Sequence, residues 1–138
     1  MARREHSCGI LYDATDATPK QIIVTGGINS SSNVTNPDTF LNSTEYLDLS
    51  NYKDGWKEGP NLEIGIRKVP MLEAPDTGSV YLVGALKDSE FLVYRLNDVE
   101  SGWTALESMP KIIRNGHVAL FLPNELLSDC STFVHSEL

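Results

Sequence analysis

Basic residues are scarce in this sequence, with 11 Lys and Arg against 19 Asp and Glu and a net charge of −8. Nucleic-acid binders cluster Lys and Arg on one face; here they are scattered, so no nucleic-acid partner is expected. No apolar run approaches the roughly 18 residues of a membrane-spanning helix, which argues against a membrane protein of that kind. The start, MARREHSCG, is basic but lacks the apolar stretch of an export signal. A cytoplasmic location is therefore expected, or an extracellular one if the chain is a piece of a secreted parent. Two cysteines, Cys8 and Cys130, are too few for a disulfide scaffold. They pair only if the fold brings the termini together, and buried free thiols are the expected state. No segment sustains a 3.6-residue apolar period, which excludes a helical bundle.

Signatures of chemistry are equally thin. Gly26-Gly27 is an isolated pair at the end of an apolar run, unlike a phosphate-binding or dinucleotide-binding loop. His6 and Cys8 offer two metal ligands where zinc takes four, and Cys130 and His135 are far away in sequence. His6, Ser7 and an aspartate make a triad only on paper, because no G-x-S-x-G supports it. Asp88-Ser89-Glu90 reads as a hairpin turn rather than an acid/base pair. No catalytic residue, no cofactor and no metal are expected.

What the sequence does contain is one pattern written twice. The first copy runs IIVTGG (Ile22–Gly27), STEYLDL (Ser43–Leu49) and GWKEGPNL (Gly55–Leu62); the second runs VYLVGA (Val80–Ala85), FLVYRL (Phe91–Leu96) and GWTALESMP (Gly102–Pro110). Trp56 and Trp103 lie 47 residues apart. A repeat of 20 to 50 residues marks units that cannot bury their own apolar face and must stack. Alternating apolar and β-branched residues make the chain nearly all β. In the first copy, strands are predicted over His6–Tyr12, Gln21–Thr25 and Thr44–Leu49, with a short one around Trp56. In the second they fall over Arg67–Glu73, Ser79–Gly84 and Glu90–Asn97, with a fourth marked by Trp103. The cycle restarts at Arg114-Asn115-Gly116-His117 and Val118–Leu122, then stops.

These residues resemble kelch repeats, the blades of a β-propeller. The resemblance rests on Gly26, Gly27, Tyr46 and Trp56 in one unit and on Gly84, Tyr94 and Trp103 in the next. It draws further on Arg4 with His6, Arg67, and Arg114 with His117 at the starts of first strands. The second unit departs from the pattern with Gly84-Ala85 in place of a glycine pair, and it lacks the histidine. The implied organisation is a first blade over 3–62, a second over 63–110, the first strand of a third blade or a closing strand over 111–122, and a tail over 123–138. Tyr46, Trp56, Tyr94 and Trp103 are then inter-blade packing, and the two tryptophans should occupy like environments. Propellers have four to eight blades. Two blades and a strand do not close a ring, so further blades in a longer parent chain, or self-association, are expected.

The resemblance implies an interaction module that holds a protein or peptide on a loop rim, of the substrate-receptor or actin-binding type. In an up-and-down sheet that rim comprises Ile28–Leu41, Pro60–Arg67 and Pro110–Arg114. Arg67 and Arg114 are the partner-binding candidates, since a guanidinium fork suits a carboxylate. Two alternatives stand beside this reading. One is a fragment of a kelch-fold enzyme; the other is an extracellular glycosylated recognition domain, suggested by acceptor sequons at Asn29, Asn33 and Asn42.

Overall fold

The computed structural model describes residues 2–29, 40–87, 90–109 and 119. The described residues contain ten strands and no α-helix. They are β1 (Arg3–Arg4), β2 (Ser7–Tyr12), β3 (Pro19–Thr25), β4 (Ile28–Asn29), β5 (Thr44–Asp48), β6 (Lys57–Glu58), β7 (Met71–Ala74), β8 (Ser79–Lys87), β9 (Glu90–Leu96) and β10 (Trp103–Met109). One 3-10 turn, Tyr52–Asp54, precedes β6. Sheet 1 has the order β2-β3-β5-β6 and sheet 2 the order β7-β8-β9-β10; both are antiparallel meanders, and β1 pairs with β4 in a separate ribbon. Neither sheet closes into a barrel. Apart from residue 119, the expected third first strand, 111–122, and the tail lie outside the described residues, as do Arg114, Asn33 and Cys130.

Short side chains make the turns. Asp13 accepts from the backbone and hydroxyl of Thr15, Asp16 does the same for Thr18, and Asp48 for Ser50. Such self-bonding is why aspartate followed by Ser or Thr ends a strand. Between β7 and β8, Gly78 (φ 70) donates its N–H to Pro75.

Strand alternation decides which residues meet. On β3, Gln21, Ile23 and Thr25 are buried and face sheet 2, while Ile22 and Val24 are half-buried and face outward. Leu11 and Ile23 of sheet 1 pack against Val80 and Leu96 of sheet 2, with Tyr46, Met71 and Trp103 closing over them. A second cluster joins Leu82, Ala85 and Tyr94 of sheet 2 to Leu62, Ile66 and Val69 of the segment linking the sheets. Fully burying one such side chain contributes about 1.5–3 kcal/mol. Polar bonds cross the same seam: Ser7 Oγ donates to Val69 O, and Ile10 N–H donates to the Glu73 carboxylate at 2.9 Å.

The structure departs from the sequence reading at several points. The second strand of sheet 2 does not stop at Gly84 but runs on to Lys87, passing a bulge at that glycine. The first strand of sheet 2 is Met71–Ala74 rather than Arg67–Glu73. Lys68 holds φ 52, and Pro70, with no N–H to donate, precedes the pairing. Ile28, expected in a loop, pairs with Arg4 in the β1–β4 ribbon. Cys8, expected to be buried, is exposed and free, because alternation turns it to the outer face of β2 opposite Val24. The tryptophans do not share like environments: Trp103 is half-buried in the seam, while Trp56 is 52% exposed.

Candidate functional site

Three segments converge at one end of sheet 1. Gly26-Gly27 ends β3 with φ values of 69 and 90, a backbone that side-chain-bearing residues rarely adopt. A Cβ on Gly26 would stand 2.7 Å from the Ile66 carbonyl, so only glycine admits the linker here. Gly27 N–H donates to Ile66 O at 2.7 Å, Ile66 N–H to Leu41 O, and Leu62 N–H to Asn42 O. Lys68 N–H donates to Glu5 O, which brings in the N-terminal segment. The described parts of the two loops read as one rim, residues 28–29 with 40–41 and residues 60–67, therefore meet.

Charge and aromatic contacts fix the side chains there. Arg67 lies over the Phe40 ring at 4.7 Å and forms an ion pair with Glu5 at 3.4 Å. Lys68 reaches the same carboxylate at 3.5 Å. Two cations thus share one Glu5, and a third of the Arg67 side chain stays exposed. The Arg67 guanidinium is thus held between a local acid and an aromatic face. Asn42, one of the sequon asparagines, is exposed and donates its amide to Leu62 O at 2.9 Å. Asn29 is half-buried on β4.

Beside the rim, on the outer face of sheet 1, lies a depression of about 350 Å³ lined by Ala2, Arg3, His6, Val24, Glu45 and Trp56. Arg3 forms its floor. Its guanidinium donates to Gly26 O at 3.1 Å, to Ser43 O at 2.9 Å and to the Glu45 carboxylate at 2.7 Å. Burial of the Glu45 carboxyl opposes its ionisation, and positive charge beside it, including Arg3, more than offsets this, so its pKa lies below the usual carboxylate value. From the linker, Glu63 accepts from Lys87 and from the Tyr94 hydroxyl of sheet 2, both at 2.7 Å. Those two bonds, Lys87 first, hold the Glu63 pKa down, while burial and then Glu63 push the Tyr94 hydroxyl up.

Among the described residues, no group of three or more His, Cys, Asp or Glu is placed to hold a metal ion. No helix there is long and apolar enough to cross a membrane.

The aromatic residues that marked the repeat take distinct roles. Opposite Tyr46 stands Ile23, and both face sheet 2. Opposite Tyr94 stands Leu82, and both face back towards sheet 1 and the linker. Aligning the two sheets on Gly26 and Gly84 puts Val24 with Leu82, Glu45 with Tyr94 and Leu47 with Leu96. The tyrosines are therefore one place out of step. The tryptophans agree: Trp103 pairs with Leu96, and Trp56, just ahead of β6, continues that register opposite Leu47. Both indoles sit on the face that looks away from the chain's later strands. Trp103 finds sheet 1 there and donates its indole N–H to Thr44 Oγ1 at 3.1 Å; Trp56 finds none of the described sheets.

Sequence reasoning did not find Glu5, Phe40, Arg3 with Glu45, or Glu63 with Lys87. Their partners lie 24 to 62 positions away, and no local spacing signals such pairs. Phe40 left one trace, as the lone aromatic of the Ile28–Leu41 loop. In comparison with known proteins, the chain matches no family model and no curated protein.

Proposed function

We propose that this chain is a non-catalytic protein–protein interaction module, a segment of a kelch-type β-propeller that offers its loop rim to a protein or peptide. One observation carries the reading. The loop after β3 and the linker into β7 are bonded together at one end of the sheets, where Arg67 stands half-buried over Phe40 beside Glu5. A stacked guanidinium is held at low entropic cost, and its planar fork matches the geometry of a carboxylate. Arg114 is proposed to serve the same rim.

Two four-stranded meanders packed face to face, with positive-φ glycines at Gly26, just past β3, and Gly84, at a bulge within β8, support blades of one kind. The substrate-receptor and actin-binding roles of such propellers are the functional classes proposed, in the cytoplasm. The test is affinity capture followed by titration of the recovered partner against Arg67→Ala, Phe40→Ser and Arg114→Ala variants. Arg67→Ala is expected to weaken binding about tenfold or more, the loss of one well-placed charged contact. Unchanged recovery with all three would remove the rim.

A further inference from the structure

Strained backbone gathers at the loop rim. Among the described residues, three that are not glycine hold positive φ, and two of them meet: Lys68 (φ 52) donates its N–H to the carbonyl of Glu5 (φ 57) at 2.9 Å. Such backbone persists only where the surroundings impose it, and it concentrates at ligand clamps and switches. At this crossing the Glu5 carboxylate is shared by Arg67 and Lys68 through ion pairs of 3.4 and 3.5 Å. Both are long. Arg3–Glu45 and Lys87–Glu63 each close to 2.7 Å, and a charge-assisted hydrogen bond is normally about 2.7–2.9 Å. The Glu5 and Lys68 side chains stay 24% and 62% exposed, and Arg4, which adjoins Glu5 in the chain, is exposed as well. A chain of net charge −8 thus sets a slackly held carboxylate among cations at one end of its sheets.

We propose that Glu5 is an internal stand-in for a carboxylate of the partner, an autoinhibitory contact that an acidic peptide segment displaces. The proposal rests on the rim as the partner site and adds the residue that competes for its cations. Arg67 and Lys68 are neighbours of like charge, and Glu5 offsets their repulsion in the free chain. Its long pairs lose little on exchange. A carboxylate not tied to the Glu5 backbone can approach to bonding distance and meet the planar guanidinium squarely. Affinity for that carboxylate is lowered by the fraction of time Glu5 holds the cations, so removing Glu5's charge raises it. A segment with several Asp or Glu fits best, because Arg4, Arg67 and Lys68 together carry more charge than Glu5 neutralises.

Fluorescence anisotropy of a labelled hexaglutamate peptide, titrated with the full chain at about 0.1 M salt, where charges are screened beyond about 10 Å, tests this. Glu5→Gln should bind the peptide about threefold or more tighter than the wild type, with unchanged far-ultraviolet dichroism. Should that variant fail to fold, Glu5→Gly serves, since glycine suits the left-handed backbone. Exposed Asp76 lies in the turn at the far end of β7, and Asp76→Asn makes the same charge change there. Its affinity should stay within about twofold of the wild type. Adding Arg67→Ala to Glu5→Gln should abolish the gain. Unchanged or weaker binding by Glu5→Gln overturns the stand-in and marks Glu5 as a residue that only positions Arg67. An equal gain in Asp76→Asn overturns it in favour of overall charge, and a peptide that binds neither the wild type nor Glu5→Gln overturns it outright. The rim itself is judged by recovery of its partner against Arg67→Ala, so the two proposals fail separately.

Discussion

The two sheets are the same construction in different surroundings. Sheet 2 turns its Trp103 face into the seam, where the indole has both an apolar cover and a hydroxyl acceptor. Sheet 1 turns the corresponding face, with Trp56 and Leu47, outward. One strand pattern thus produces a buried side and an exposed side according to whether a described sheet precedes it. The pattern specifies pairing within a sheet; packing between sheets supplies most of the burial.

Leucines at matching positions give the sharpest contrast. Leu96 is fully buried in the seam and Leu47 is half-buried outside it. Leu96→Ala should cost about 2–5 kcal/mol, the range for a core cavity, and Leu47→Ala about 1 kcal/mol, reflecting its smaller buried area. Urea unfolding midpoints measure both, and equal losses would mean that the outer face is covered.

Gly26 and Gly55 both hold positive φ, but only Gly26 is crowded, by Ile66. Alanine at Gly55 (φ 78, ψ −169) should cost about 1–3 kcal/mol, because that backbone is essentially confined to glycine. Alanine at Gly26 should exceed that by at least about 1 kcal/mol, because the linker must shift.

Trp103→Phe loses the bond to Thr44 and should cost about 1 kcal/mol, whereas Trp56→Phe should stay within about 0.5 kcal/mol in dilute protein. Acrylamide should quench the Trp103→Phe variant, which retains only Trp56, more strongly than its counterpart.

The smallest effect is on pH dependence. Glu63 has a folded pKa below its unfolded value of about 4.3, so its stabilisation is present above that value and lost as pH falls through the folded one. Urea midpoints of the wild type and Glu63→Gln should differ at pH 7 and converge towards pH 3. A gap that persists in acid would show that the Lys87 and Tyr94 bonds act by packing rather than charge.

Much of this architecture is legible in the residues. Alternation over Gln21–Thr25 and Glu90–Leu96, and turns at Asp13–Thr18 and Pro75–Gly78, locate strands and bends because those signals are local. Which residues face the seam is harder to read, since a one-residue slip reverses every side chain. Matching Tyr46 to Tyr94 by type places them at like sites, yet the ladders put Glu45 opposite Val24 where Tyr94 stands opposite Leu82. The 47-residue tryptophan spacing also conceals unequal parts. Gly26 and Gly84 are 58 apart, because 18 residues separate β3 from β5 while only two separate β8 from β9. At the rim, Arg67 stands out in the sequence, but its Glu5 and Phe40 neighbours exist only once β1, β4 and the linker are assembled.

The first strand of the chain's opening sheet lies against the start of the second sheet: Gly9 faces Met71, Ser7 bonds the linker at Val69, and Ile10 bonds Glu73. Such stitching leaves no hinge at the seam. Heat or denaturant should accordingly melt both halves in a single cooperative step, and neither half, cut free of the other, has enough sheltered surface to persist by itself.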